Sequence, residues 1–185
     1  MKTKFDYIDR MILDILRKDG RESITKISEK LSLSNTGIKK RVAKLNKSGV
    51  FKIQGSLNLN VMDFKACIIL LEVKNNEYSS EIIKTYNSCP YVFFIVEIIG
   101  SFNLLLGFYG NSGHDLNLKL KMCGPSNMEG VLHSKIMLIS EFKYPKFLPL
   151  QIILDDTDEK SNSNFCRFKC KSCIAYNQNE CKGCL

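Results

Sequence analysis

SNTGIKKRVAKLNK, Ser34 to Lys47, is the stretch on which the fold turns. Ser34 is placed to cap a first helical turn, and Ile38, Val42 and Leu45 recur at i, i+4 and i+7. The segment therefore predicts a helix with one narrow apolar stripe. At roughly 100° per residue, Thr36, Lys39, Lys40, Ala43, Lys44 and Lys47 project away from that stripe, with no carboxylate among them. A lone run of lysines is more often a solvated face than a binding surface. A short, hydroxyl-bearing cationic face also suits a phosphate-lined groove, and the residues around it decide between the two.

Upstream, Asp6 is placed to cap a helix in which Ile8, Met11, Ile12, Ile15 and Leu16 keep an amphipathic period, with Gly20 placed to end it. Ser23 caps a second helix with Ile24, Ile27 and Leu31 on one face, and Leu31-Ser32-Leu33-Ser34 is a short turn into the third. Three helices joined this tightly, the last of them basic, predict a helix-turn-helix. After Gly49, Val50 to Gln54 alternates apolar and polar and predicts a short strand or wing. The charge agrees with this placement. Residues 1–60 hold 14 Lys and Arg against 6 Asp and Glu, while residues 61–185 hold 13 against 13, so the whole net charge of +8 lies in the first third. That asymmetry is expected where one domain meets nucleic acid and the remainder does not.

The run from Phe5 to Val50 resembles the N-terminal half of the leucine-responsive/AsnC (feast/famine) transcription regulators. Asp9-Arg10, Asp19-Gly20-Arg21, the Leu33-Ser34 turn, Arg41-Val42 and Gly49-Val50 stand where that family's pattern has them. The resemblance implies a regulator of transcription that binds double-stranded DNA. On that footing Ser34, Asn35, Thr36, Lys39, Lys40, Arg41, Lys44 and Lys47 are the candidate DNA-binding residues. Asn35, Thr36 and Lys39, near the helix start, suit base edges, and the other cations suit phosphate. Arg41 lies nearer the apolar stripe and is open to a structural reading as well.

From residue 66 the pattern changes to strands. Ala66 to Val73 is a mostly apolar run, Ser79 to Asn87 a helix with Ile82, Ile83 and Tyr86 inward, and Tyr91 to Ile99 and Phe102 to Tyr109 two strands around Gly100. His114 to Met122 predicts a helix and Val131 to Phe142 a returning strand. The order βαββαβ is that of a ferredoxin-like sandwich with helices on one sheet face. The family's C-terminal ligand-binding and oligomerisation domain has the same order, which implies a homodimer or higher oligomer and a small-molecule effector. Its effector pocket lies at a Gly-x-x-Asp turn. Here the matching residues are Gly100, Ser101, Phe102 and Asn103, and Asn in place of the carboxylate removes an ion-pair partner for an α-amino group. A plain hairpin turn is the other reading of those four residues.

Five cysteines crowd the last twenty residues: Cys166, Cys170, Cys173, Cys181 and Cys184. Two Cys-x2-Cys pairs supply the four sulfurs of a tetrahedral zinc site, so Cys170, Cys173, Cys181 and Cys184 are the candidate ligands. Cys166 is surplus, and Cys166, Cys170 and Cys173 also have a spacing that can hold three irons of an iron-sulfur cluster. A thiol switch is a third reading, and a zinc-stabilised protein-interaction module a fourth.

The chain thus reads as an α+β protein. A winged helix-turn-helix domain spans 1–54, a connector 55–65, the βαββαβ domain 66–154 with a further edge strand at Leu148 to Leu154, a polar linker 155–164, and a cysteine-rich metal-binding tail 165–185. No apolar core of the signal-peptide kind follows Met1, and the runs Ala66 to Leu71 and Val92 to Val96 are too short to span a bilayer. A cytoplasmic protein that works away from membranes is expected. There is no phosphate loop, nucleophile elbow or paired-carboxylate motif, so enzymatic chemistry is not expected.

Overall fold

The computed structural model describes residues 5–62 and 64–150. The chain forms two compact units that divide between Gly55 and Ser56.

The first unit is three helices: α1 (Tyr7–Lys18), α2 (Ile24–Leu31) and α3 (Asn35–Lys47). Each begins where the sequence offers a side-chain cap. Asp6 accepts from the Asp9 backbone N–H in a full capping box, Ser23 accepts from Lys26, and Ser34 accepts from Gly37. One stripe from each helix meets in a single core of Ile12, Leu16, Ile27, Ile38 and Leu45, with Ile8, Ile15, Ile24, Val42 and Phe51 packed around it. The α2–α3 turn is made by Ser32, which sits in the left-handed region at φ 53°.

Val50 to Gln54, expected as a short strand or wing, forms no strand. Residues 51–56 carry no ladder, because Phe51 anchors the segment to the helical core while Ile53 is left 55% exposed.

The second unit is a four-stranded antiparallel sheet in the order β3-β4-β2-β5, formed by β2 (Lys65–Val73), β3 (Val92–Glu97), β4 (Leu104–Gly110) and β5 (Val131–Ile139). Two helices, α4 (Asn76–Tyr86) and α5 (Gly113–Cys123), complete the βαββαβ order. Alternation along the strands divides the side chains. Cys67, Ile69 and Leu71 of β2, with Leu104, Leu106 and Phe108 of β4, share a buried core with Ile82 and Tyr86 of α4 and Leu116 of α5. The alternate set, including Ile68, Leu70 and Leu105, lies on the other sheet face and is only half-buried. Gly107 permits close packing on that face, since a Cβ there would stand 2.6 Å from the Phe93 ring.

Two differences from the sequence reading have simple causes. Residues 56–62, read as part of a connector, belong to this unit: β1 (Leu57–Asn58) pairs with β6 (Phe147–Leu148), and Leu59 is buried in the core. The stretch from Leu148, read as a further edge strand, begins in that separate two-residue ladder. Helix α4 also starts three residues before Ser79, because Asn75 caps it by accepting from the Glu77 and Tyr78 backbone N–H groups. Residues 151–185, with the linker and the cysteine tail, lie outside the described residues.

Candidate nucleic-acid interface

Burial of Ile38 and Leu45 fixes the rotation of α3 about its axis and leaves Asn35, Thr36, Lys39, Lys40, Ala43, Lys44 and Lys47 exposed. What distinguishes this face is the pairing of charges around it. Asp14 pairs with Arg17 at 3.0 Å and Lys18 at 2.6 Å, and Glu22 pairs with Lys30 and, at 3.9 Å, with Lys26. Lys18 first and Arg17 second hold the Asp14 carboxyl below its ordinary range. Among the described residues no carboxylate lies within ion-pair reach of Lys39, Lys40, Lys44 or Lys47. Four like charges on three turns of one helix repel one another and are stabilised by an external polyanion.

Arg41 is placed differently from its neighbours. Its Nη1 donates to Asp6 at 2.6 Å and to Asp9 at 2.7 Å, so the guanidinium of α3 is tied to both carboxylates of the α1 capping box. These bonds, Asp6 foremost, raise the Arg41 pKa. The Asp9 backbone N–H and then Arg41 lower that of Asp6. Asp9 is 3% exposed. A sequence signal for this existed, because Asp9 lies three and seven residues before Ile12 and Leu16 and so falls on the buried face of α1, where a carboxylate needs a cation. A second support was not legible in the sequence. The Ser28 hydroxyl of α2 is hydrogen-bonded to the Asn35 carboxamide oxygen.

The residues at the Gly100 turn are brought together in another way. Gly100 and Ser101 are exposed, Phe102 and Asn103 half-buried. Asn103 acts as a surrogate peptide group. Its Oδ1 accepts from the Val73 N–H at 2.8 Å and its Nδ2 donates to the Val73 carbonyl at 2.7 Å, where the β2–β5 register shifts. Its side chain is thus committed to the sheet. Asn60 holds Phe142 in the same way, donating to its carbonyl at 2.9 Å and accepting from its N–H at 3.0 Å.

Among the described residues no three His, Cys, Asp or Glu side chains come together as a metal-binding group. Cys166, Cys170, Cys173, Cys181 and Cys184 lie outside the described residues. Cys67 is fully buried, and burial pushes its thiol up to about 11, which makes it unreactive. His133 of β5 faces Glu72 of β2 at 3.0 Å across the ladder, an exposed cross-strand pair. Among the described residues no helix is long and apolar enough to cross a membrane.

Comparison with known proteins places this geometry. Residues 5–52 match the family model described as winged helix-turn-helix DNA-binding. The HTH-type transcriptional regulator FL11 of Pyrococcus furiosus is 29% identical over 145 residues, which cover 75% of this chain and 91% of FL11. The HTH-type transcriptional regulator LrpC of Bacillus subtilis is 33% identical over 105 residues, 53% of this chain and 69% of LrpC. Among solved structures, a transcriptional regulatory protein of the AsnC family from Pyrococcus furiosus aligns with a TM-score of 0.59 and 26% identity, over 77% of this chain and 94% of that one. All three relatives are regulators of transcription.

Proposed function

The chain belongs to the Lrp/AsnC family of DNA-binding transcription regulators, and from that premise we propose how it engages DNA and what governs it. It acts in the cytoplasm as a homodimer or higher oligomer. Two copies of α3 enter successive major grooves of double-stranded DNA, about 34 Å apart. Asn35, Thr36 and Lys39 face base edges, while Lys40, Lys44 and Lys47 neutralise phosphates. The observation that carries this is the row of exposed lysines on α3 with no carboxylate in reach among the described residues, beside acidic groups that are paired elsewhere. Arg41 serves the interface indirectly, by holding α3 to α1. Self-association uses the open sheet face, and the half-buried Ile68, Leu70 and Leu105 with the exposed Val96 and Met137 support that assignment.

The experiment is a salt titration of DNA affinity. Lys40→Ala with Lys44→Ala leaves two phosphates per copy without a protein cation, so affinity falls for all sequences alike. The slope of log affinity against log salt flattens by about 0.9 for each phosphate no longer neutralised. An unchanged slope refutes the assignment.

Regulation is proposed to enter through two segments. A small effector binds near Gly100 to Asn103, without an ion pair from Asn103, whose amide is already engaged. The tail binds zinc through Cys170, Cys173, Cys181 and Cys184. The donor set, two Cys-x2-Cys pairs, fits tetrahedral zinc, and bound zinc would cross-link a segment with little apolar core of its own. Metal content and the visible spectrum of purified protein separate zinc from an iron-sulfur cluster using Cys166. If neither is found, the metal reading of the tail fails.

A further inference from the structure

Asn35 is the first residue of α3 and is exposed, but its carboxamide is not used to cap the helix, because Ser34 already accepts from the Gly37 N–H at 3.1 Å. It is held from the neighbouring helix instead. Ser28 of α2 is 6% exposed, and the single proton of its hydroxyl is shared between two acceptors, the Thr25 carbonyl at 2.7 Å and the Asn35 Oδ1. A carboxamide has two acceptor positions on oxygen and two donors on nitrogen. One bond to Ser28 therefore sets the plane of the amide and still leaves an acceptor and a donor side by side. That pair matches the N6 amino group and N7 of an adenine in the major groove. A side chain fixed before binding also loses less rotamer freedom on the DNA than a free one.

We propose that Ser28 is a positioning residue that fixes Asn35 as a reader of adenine. The inference rests on α3 being the DNA-facing helix. Ser28 is buried and acts only through Asn35.

The test uses the full chain. Binding sites are selected from a random duplex library, and affinity is then measured for the selected duplex and for versions changed at single positions. The wild type is expected to require adenine at one position of each half-site, by roughly tenfold or more over other bases. Asn35→Ala removes that preference and leaves the other positions intact. Ser28→Ala weakens the same preference by about threefold or more, with the unfolding midpoint and the salt-dependent binding to an unrelated duplex unchanged. In an Asn35→Ala background, Ser28→Ala has no further effect, the signature of two residues acting as one unit. If alanine perturbs folding, Ser28→Cys keeps the shape with a weaker donor and gives a partial loss at that one position. The positioning role is overturned if Ser28→Ala leaves the adenine preference intact, or if its effect persists without Asn35. A wild-type chain that selects no sequence and binds without salt dependence overturns the DNA assignment itself, which is a separate result.

Discussion

Asn103→Asp exchanges one atom and should destabilise the second unit by an amount the geometry sets. In the wild type the Val73 N–H donates to Oδ1 at 2.8 Å and Nδ2 donates to the Val73 carbonyl at 2.7 Å, and Val73 is 3% exposed. Aspartate keeps the acceptor and replaces the donor with a second oxygen facing a carbonyl oxygen. The missing hydrogen bond costs about 1 kcal/mol, and a buried carbonyl left against a carboxylate roughly 1–3 more, so about 2–4 kcal/mol in all. The cost should depend on pH. Only the protonated carboxyl can donate to the Val73 carbonyl, so folding favours the neutral form and raises the folded pKa above its unfolded value of about 3.9. Stability is then fully recovered below the unfolded pKa and lost as pH rises through the folded one. Urea unfolding at fixed protein concentration, for wild type, Asn103→Asp and Asn103→Ala, is the assay. Relative to wild type, the aspartate variant should recover on acidification while the alanine variant stays equally impaired. An aspartate variant as stable as wild type at neutral pH, or one whose deficit ignores pH, refutes the surrogate-peptide account.

Three further outcomes are expected. Ser32→Gly relieves a left-handed residue at φ 53°, and the roughly 1–2 kcal/mol cost of that conformation outweighs the extra freedom of glycine when unfolded. A small rise in the unfolding midpoint checks it. Gly130→Ala should be strongly destabilising, because Gly130 has φ +81° and an added Cβ would stand 2.6 Å from Tyr78 Cβ; unfolding should show a loss of about 2–4 kcal/mol. Arg41→Ala removes a group that lowers the Asp6 pKa, second to the Asp9 N–H. A depressed carboxylate contributes stability that is present above its unfolded pKa and lost as pH falls through its folded one, so the variant should lose less stability than wild type on acidification, as read from unfolding midpoints.

The sequence by itself determined the helices of the first unit and the βαββαβ order of the second, but not the short β1–β6 ladder. Asp6, Ser23 and Ser34 start helices because each puts an acceptor on orphan N–H groups, and apolar period separates the helices of the first unit from the strands of the second. The basic face of α3 was legible for the same reason, since burying Ile38, Val42 and Leu45 leaves the lysines no other direction. Partners far apart in the chain were not legible. Arg41 near the apolar stripe and Asp9 on the buried face of α1 were each marked in the sequence, but that they meet was not, and only packing of α3 against α1 brings Arg41 to Asp6 and Asp9. Asn103 looked like a substitution in a ligand turn until the sheet set it against Val73. Nothing in the sequence marks Ser28, and only the turn at Ser32, which folds α3 back beside α2, sets it against Asn35. Capping and periodicity act over a few residues and are written locally. The choice of partner for a polar side chain is made when distant segments are desolvated together, and only the tertiary structure decides it.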